Sequence, residues 1–359
     1  MRIEIGAGLS LAVPLSVGTL QWGTTPLDQC LINPNGCIDE RTSLEIAEEL
    51  CRNHVTLFDT AEGYGGGTSE KRLGRVAAAA FSKAPVSDRP ILMTKFLPTF
   101  WRFSHGCFER ALRASNQRLG IDCCPVYLLH SPVHWRPIEF WVEAAAMCKR
   151  KGLLIALGLS NCNADEVRRA HRAGVEHGVP VIVNQVMYSL LDYNSAELRE
   201  MEKACNDLGI TIVAYSPIGQ GLLTDGLTPL KFERNRPARM TGLTWDSLSQ
   251  LRACIADIAS QRGKTMAQVA LNWCIRHGTV PLVGCRSLAQ ARDSLGALGW
   301  SLSPDEVAAL DRNALRRSTL ESPRWRRAVF VGLAGAVMVA CRTLDWLGGG
   351  MVRRARGGP

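Results

Sequence analysis

The chain has 359 residues, of which 46% are hydrophobic and 21% are charged, an ordinary globular composition that excludes a disordered chain and a protein with many membrane spans. Ten arginines and two carboxylates from Arg312 onwards carry +8 of the net charge of +9. The preceding residues are nearly neutral and show no basic face with interleaved aromatic residues, so we expect no nucleic-acid partner.

The N-terminal stretch MRIEIGAGLSLAVPLSVGTLQWG lacks the basic-then-apolar order of a secretion signal and the Arg/Ser bias of a transit peptide. The 13 cysteines are odd in number and include no CxxC pair, which argues against a disulfide framework and a zinc ribbon. Reduced thiols fit best, so we expect a cytoplasmic protein, or an organellar one if the N-terminus is incomplete.

Short apolar runs then alternate with amphipathic stretches eight times, in the order strand and helix. The predicted strands are PLSVGT, TLFDT, PILMTKF, PVYLLH, LIALGLS, PVIVNQV, ITIVAYSP and TVPLVG. Strands that are apolar on both faces are typical of a parallel sheet covered by helices, and eight such units close a barrel. We predict an α/β fold, a (β/α)8 TIM barrel over residues 1–319, followed by a basic and apolar C-terminal helical extension over residues 320–359.

Polar residues recur at the C-terminal ends of these strands, where such barrels hold their chemistry. They are Asp59, Lys95, His130, Ser160, Asn161, Gln185, Tyr215 and Ser216. A helix cap, a buried ion pair or a core histidine would explain any one of them, but their recurrence at one rim indicates a site.

The stretch FDTAEGYG places Asp59 and Tyr64 five positions apart, just after the second predicted strand. A carbonyl can be reduced by hydride if an acid protonates the developing alkoxide, and a tyrosine of ordinary pKa ~10 needs a neighbouring ammonium for that role. Lys95 would supply the ammonium and Asp59 the carboxylate that holds it. His130 would orient the substrate oxygen or relay a proton. Pro132 prevents His130 and His134 from sharing a helical face, so we expect no metal site.

These residues resemble those of the aldo-keto reductases, NADPH-dependent enzymes built on an (α/β)8 barrel. FDTAEGYG, LMTKF and YLLHSP match the family's motifs in order, and the resemblance covers roughly residues 10 to 311. It implies the catalytic tetrad Asp59, Tyr64, Lys95 and His130, and a small aldehyde or ketone as substrate. The alternative is a barrel of the same family that binds NADPH as a sensor or regulatory subunit with little turnover.

The resemblance also implies where the cofactor binds. The residues concerned are Gly18, Thr19, Ser160, Asn161, Gln185, Tyr215, Ser216, Gly284, Arg286 and Gln290. Tyr215 would stack on the nicotinamide ring, and Arg286 would hold the 2'-phosphate that distinguishes NADPH from NADH. Asp293 and Ser294 stand where the family has an acidic residue and an asparagine, so weaker contacts to the adenine are implied.

Three tryptophans follow predicted strands and are candidates for an apolar wall of the substrate pocket, with core packing as the alternative for each. They are Trp22, Trp101 and Trp135.

The C-terminal tail has a charge-free apolar run from Ala328 to Cys341, shorter than the ~20 residues that span a bilayer. Arginines on both sides, with Trp325 and Trp346 near the ends, suit contact with a membrane surface. A helix packed on the barrel and a disordered extension are the alternatives.

Overall fold

The computed structural model describes residues 2–23, 36–82, 85, 89–233 and 243–316. The tail over residues 320–359 lies outside these residues, so its membrane contact and the boundary at residue 319 stay predictions. Within the described ranges the strands are β1 Ile3–Gly6, β2 Leu9–Leu11, β3 Ser16–Gly18, β4 Leu57–Asp59, β5 Ile91–Phe96, β6 Cys124–Leu129, β7 Leu154–Ser160, β8 Val181–Met187, β9 Thr211–Tyr215 and β10 Val280–Val283.

The helices follow the strands in the predicted alternation. They are α1 Glu40–Arg52, α2 Thr68–Ala80, α3 His105–Leu119, α4 Ile138–Arg150, α5 Ala164–His177, α6 Ala196–Asp207, α7 Pro229–Glu233, α8 Trp245–Arg262, α9 Met266–Arg276, α10 Leu288–Leu295 and α11 Pro304–Asn313. Local sequence sets their ends: Asn163 and Glu166 form a capping box at the start of α5, and Gly178 ends that helix in the left-handed conformation. No helix of the described chain is both long and apolar enough to cross a membrane.

Strands β3 to β10 form a closed parallel barrel, because β10 pairs with both β9 and β3. The predicted (β/α)8 TIM barrel is confirmed. The register places Gly18 beside Asp59 and Ser160 beside Gln185. Parallel pairing brings the C-terminal ends of all eight strands to one end of the barrel, which we call the mouth.

The N-terminal hairpin of β1 and β2 closes the opposite end of the barrel. Its side chains Ile5 and Leu11 are fully buried and pack among interior residues of the strands, including Leu57 and Ile182. Gly6 has φ +104, and a Cβ there would lie 2.7 Å from the Ile182 side chain, so only glycine fits without displacement. This hairpin was not predicted from the sequence.

Candidate active site

Strands β4 and β5 place Asp59 and Lys95 side by side inside the mouth. Both side chains are buried, and Nζ of Lys95 lies 2.6 Å from Oδ2 of Asp59. The same ammonium donates to the carbonyl of Thr60 at 2.7 Å, and Gln185 donates to the other carboxylate oxygen of Asp59 at 2.9 Å. A buried charge is tolerated when it is paired and hydrogen-bonded in this way.

Tyr64 reaches this pair because a run of glycines turns the chain sharply after β4. Gly65, Gly66 and Gly67 have φ of 59°, 61° and 103°, a region that residues with a Cβ rarely occupy. The turn brings the Tyr64 hydroxyl to 3.4 Å from Nζ of Lys95, and that ammonium lies 4.9 Å from the centre of the tyrosine ring. Tyr64 stays partly exposed at the mouth.

His130 follows β6 and completes the group that the sequence predicted. Its ring meets Tyr64 edge-on, with 6.0 Å between ring centres, and its backbone N–H donates to the carbonyl of Phe96. Within the described ranges its buried Nδ1 has no hydrogen-bond partner. The tetrad residues Asp59, Tyr64, Lys95 and His130, from four places in the chain, therefore meet at one site.

Burial and charge compete in setting the ionisation of this group. Burial would lower the pKa of Lys95, but the charges of Asp59 and of ionised Tyr64 outweigh it and raise that pKa above the ordinary lysine value. Burial raises the pKa of Asp59, and Lys95 offsets part of the shift. Burial also raises the pKa of Tyr64; Lys95 acts to lower it, as the sequence analysis expected, but burial has the larger influence. Lys95 is therefore an ammonium and Tyr64 a neutral phenol at neutral pH.

The imidazole of His130 is neutral over the physiological range. Burial, with a smaller contribution from the charge of Lys95, lowers the pKa of His130 to about 3. A neutral imidazole carries one N–H and can donate one hydrogen bond, but it does not deliver a proton as an imidazolium would. Of the two roles that the sequence left open for His130, orientation of the substrate oxygen fits this environment better than proton relay.

Strands β7, β8 and β9 bring four predicted cofactor residues together beside the tetrad. The Asn161 amide donates to the Ser160 hydroxyl at 3.1 Å and accepts from the Tyr215 hydroxyl at 2.9 Å. Its backbone N–H donates to the carbonyl of Gln185 at 2.9 Å, and Asn161 has φ +59. This set of hydroxyl and amide groups suits a flat ring bearing a carboxamide, because such a ligand needs both donors and acceptors.

Three further residues of the predicted cofactor set lie near this group. Gly18 ends β3 at the mouth. Thr19 is buried, and its hydroxyl donates to the carbonyl of Asp59 at 2.9 Å, so its side chain holds the backbone of Asp59 in place. Ser216 follows β9 with φ +54, and its carbonyl accepts from the Gly219 N–H at 2.8 Å.

The predicted phosphate-binding residues lie together in the loop after β10 and in the first turn of α10. Gln290 accepts from the backbone N–H of Arg286 at 2.8 Å, and the Arg286 guanidinium donates to the carbonyl of Gly36 at 3.0 Å. Gly284 is exposed, and a Cβ there would lie 2.8 Å from the amide nitrogen of Gln21. The cationic, half-buried Arg286 fits a phosphate.

Asp293, which stands where the family has an acidic residue, makes its contacts within the fold. Its carboxylate accepts from the Thr265 hydroxyl at 3.0 Å and from the Gln268 amide at 2.9 Å. Thr265 and Gln268 form the capping box of α9, so Asp293 fastens α10 to the start of that helix.

The three candidate tryptophans occupy different environments. Trp22 is fully buried against Phe58, with 6.3 Å between ring centres, in the core between the barrel wall and the helices. This corrects the expectation that Trp22 lines the substrate pocket, since a position after a strand does not reveal which way a side chain faces. Trp101 and Trp135 are 47% and 67% exposed on the loops that follow β5 and β6.

Glu62 had no role predicted from the sequence, and neither Arg102 nor the carbonyl of Thr60 was predicted to take part in the site. Glu62 is buried, forms an ion pair with Arg102 and accepts from the backbone N–H of Leu97 at 2.9 Å. These contacts fix the chain just before Tyr64 and just after Lys95. The position of Glu62 between Asp59 and Tyr64 in the sequence was the feature that could have indicated its role. In the described part of the chain, no three His, Cys, Asp or Glu side chains are close enough to hold a metal ion.

Comparisons with known proteins point to one family. The sequence model of the aldo/keto reductase family matches residues 14–314. A pyridoxal reductase named as chloroplastic, from Arabidopsis thaliana, is 35% identical over 83% of this chain and 82% of its own length. An aldo-keto reductase named yakc [NADP(+)], from Schizosaccharomyces pombe, is 32% identical over 70% of this chain and 76% of its own. The crystal structure of a Bombyx mori aldo-keto reductase in complex with NADP is 20% identical, with a TM-score of 0.69 over 91% of this chain and 96% of that one.

Proposed function

The chain belongs to the aldo/keto reductase family, and we propose that it reduces an aldehyde or a ketone to the alcohol, with hydride from NADPH and a proton from Tyr64. The observation that carries this proposal is the line of contacts from Asp59 to Lys95 at 2.6 Å and from Lys95 to Tyr64 at 3.4 Å. It ends at the barrel mouth, with a phenol that is neutral and partly exposed.

Each member of the tetrad has a part in moving the proton. NADPH, when bound, supplies the hydride to the carbonyl carbon. Tyr64 gives its proton to the carbonyl oxygen as negative charge develops there. The ammonium of Lys95 then stabilises the tyrosinate, and Asp59 keeps that ammonium in place. His130, as a neutral N–H donor, holds the carbonyl oxygen toward Tyr64.

The cofactor residues divide into two groups. Ser160, Asn161 and Gln185 suit the carboxamide of a nicotinamide, and Tyr215 suits stacking on its ring; their hydroxyl and amide contacts support this. Gly18, Thr19 and Ser216 contribute backbone beside them. At the other end we propose that Gly284, Arg286 and Gln290 hold the adenosine phosphate, with Arg286 favouring NADPH over NADH.

We propose small carbonyl compounds as substrates and take pyridoxal as the first to test, since a relative at 35% identity is named a pyridoxal reductase. Trp101 and Trp135 are exposed at the entrance of the mouth, where a substrate would pass on its way in. We propose the cytoplasm as the compartment, with a plastid as the alternative that the relative's name raises; a tagged full chain followed by fractionation would distinguish them.

The test is a panel of aldehydes and ketones, headed by pyridoxal, followed by loss of the NADPH absorbance band and run in parallel with NADH. We expect multiple turnovers with at least one compound, and faster turnover with NADPH than with NADH. Tight NADPH binding with no turnover across the panel would instead support the sensor or regulatory alternative.

A further inference from the structure

A group of exposed aromatic side chains borders the barrel mouth. Trp101, Phe103 and Trp135 are 47%, 55% and 67% exposed, and they stand on the loops after β5 and β6. With Phe100 and Arg136 they form what we call the mouth rim. Three large aromatic side chains exposed this far on neighbouring loops are unusual for a surface that meets only water.

The two loops of the mouth rim are in contact, so their aromatic side chains form one surface. Phe100 and Trp135 pack ring to ring with 6.2 Å between centres. The guanidinium of Arg136 donates to the carbonyl of Phe103 at 3.3 Å and lies 4.8 Å from the ring of Phe140. The cation is thus held beside the aromatic side chains.

Negative charge is absent from the two loops themselves. Residues 97–108 and 130–138 contain no Asp or Glu. Of the adjoining carboxylates, Glu62 is paired with Arg102, Glu139 is paired with Arg169, and Glu143 lies 3.5 Å from His105. The mouth rim therefore combines exposed aromatic surface with net positive charge, which suits an anionic lipid surface.

The described chain ends at this same end of the barrel. The N–H of Leu315 donates to the carbonyl of Leu190 at 2.7 Å, and Asn194 donates to the carbonyl of Leu315 at 2.9 Å. Leu190 and Asn194 lie in the loop after β8, on the mouth side. Residues 317–359, which follow, contain eight arginines against two carboxylates. The basic part of the sequence therefore begins where the described chain ends, on the side that carries the mouth rim.

We propose that the mouth rim docks on an anionic phospholipid bilayer, with Trp101, Phe103 and Trp135 entering the interfacial layer and the basic C-terminal residues adding electrostatic attraction. Two weak attachments on one face are what stable binding of a peripheral protein requires, because a single one is reversible. In this orientation the catalytic mouth faces the membrane, so carbonyl compounds dissolved in the lipid enter it directly.

The test is flotation of the full chain with vesicles of phosphatidylcholine, with and without phosphatidylserine. We expect binding to the anionic vesicles only, and a loss of about tenfold in the partition coefficient when Trp101, Phe103 and Trp135 are all changed to Ser. The matched control is Ile155→Ser with Val175→Ser. These are exposed apolar residues at the opposite end of the barrel, and the change should leave vesicle binding intact. An unchanged melting temperature and NADPH affinity establish that the triple variant is folded.

A second variant tests insertion itself. Trp101→Phe with Trp135→Phe keeps the rim apolar, so vesicle binding should persist, while quenching of tryptophan fluorescence by brominated lipids should fall. The proposal is overturned if the triple Ser variant floats as well as the wild-type chain, or if the control variant loses as much binding. It is also overturned if lipid quenching is the same in the double Phe variant, or if light scattering shows that the rim instead joins two copies of the chain.

Discussion

At the scale of single residues, the proposed proton donor is controlled by a buried ammonium that is itself held by a carboxylate. Lys95 is fully buried, and its pKa is raised above the ordinary lysine value because Asp59 and Tyr64 outweigh the effect of burial. It therefore keeps its charge over the whole range in which enzymes work. Charge that stays fixed beside the phenol can stabilise the tyrosinate without rearrangement during the reaction.

The pH dependence of the reaction follows from these groups. Carbonyl reduction needs the protonated phenol of Tyr64, and burial raises its pKa above the ordinary 10.0, so reduction should continue to about pH 9 without loss. Since the pKa of His130 is about 3, that residue should add no acidic limb above about pH 5. Alcohol oxidation, which needs the tyrosinate, should rise with pH over the same range.

The measurement is kcat/KM for reduction and for oxidation from about pH 5 to pH 10. An inflection between about pH 6 and pH 8 in reduction would mean that a group with an ordinary histidine pKa takes part, and it would contradict the neutral role given to His130.

Arg286 should govern the choice between the two cofactors. Arg286→Gln removes the cation proposed to hold the 2'-phosphate, so the Kd for NADPH should rise by about ten- to a hundredfold, the usual loss for a charge-assisted bond. The Kd for NADH should hardly change, because NADH lacks that phosphate. Titration of tryptophan fluorescence measures both. Arg292→Gln is the control, because Arg292 lies nearby in α10 but is paired with Glu49. Equal losses of affinity for both cofactors would contradict the assignment of Arg286.

At the scale of elements, the N-terminal hairpin was not predicted although its two short strands have alternating apolar residues. The alternation of Ile3, Ile5, Leu9 and Leu11 around two glycines was visible, but strands of three and four residues are too short for a firm prediction. Their burial depends on the interior of the eight-stranded barrel, which the local sequence does not specify. Helices α9 and α11 belong to none of the eight predicted strand–helix units. They are extra helices, so the repeating pattern gives no sign of them.

The hairpin should stabilise the barrel without shaping its mouth. Ile5→Ala removes a fully buried side chain from the closed end and should cost about 2–4 kcal/mol in the free energy of unfolding. Urea denaturation measures this change. The neighbouring exposed Glu4→Ala should change the stability by no more than about 0.5 kcal/mol. A similar stability for both variants would show that the hairpin does not close the barrel in solution.

The free energy of unfolding should depend on pH because of His277, which directly follows α9. Its ring lies 3.1 Å from Asp311 of α11 and 3.7 Å from Glu202 of α6. Burial acts to lower the pKa of His277, but the two carboxylates outweigh it and raise that pKa above 6.5. A group whose pKa is raised by folding stabilises the fold below its unfolded pKa, and the gain is lost as pH rises through the folded pKa.

Stability should therefore decline by about 1 kcal/mol from pH 6 to pH 9 in the wild-type chain. His277→Gln should be less stable at pH 6 and should lack this decline. Thermal unfolding at several pH values is the measurement, and a decline of the same size in the variant would assign it to other groups.

At the scale of the whole molecule, the barrel was predictable because its strand–helix unit is repeated, and the tetrad because its motifs follow one another in a fixed order along the chain. Eight apolar runs separated by amphipathic stretches leave few folds, and parallel strands necessarily gather their C-terminal residues at one end. Side-chain direction was not predictable: Trp22 and Trp135 both follow strands, yet the first is buried and the second is exposed. The sequence also does not indicate which backbone carbonyls accept hydrogen bonds from side chains, as that of Thr60 does.

The molecule thus has a closed end that stabilises it and an open end that carries the proposed chemistry, the aromatic rim and the point where the basic tail begins. The fold and the family are established by the closed parallel barrel and the match over residues 14–314. The central proposal is that proton transfer at the open end depends on Tyr64.

The most direct measurement compares Tyr64→Phe with Tyr127→Phe under saturating NADPH and the best substrate of the panel. Tyr127, in strand β6, is fully buried, and within the described residues its hydroxyl has no hydrogen-bond partner, so removal of that hydroxyl should leave turnover and stability intact. Tyr64→Phe should bind NADPH with the wild-type Kd while kcat falls by about a hundredfold or more, the usual contribution of a general acid. Wild-type turnover in Tyr64→Phe, with NADPH bound normally, would contradict the assignment of Tyr64 as the proton donor.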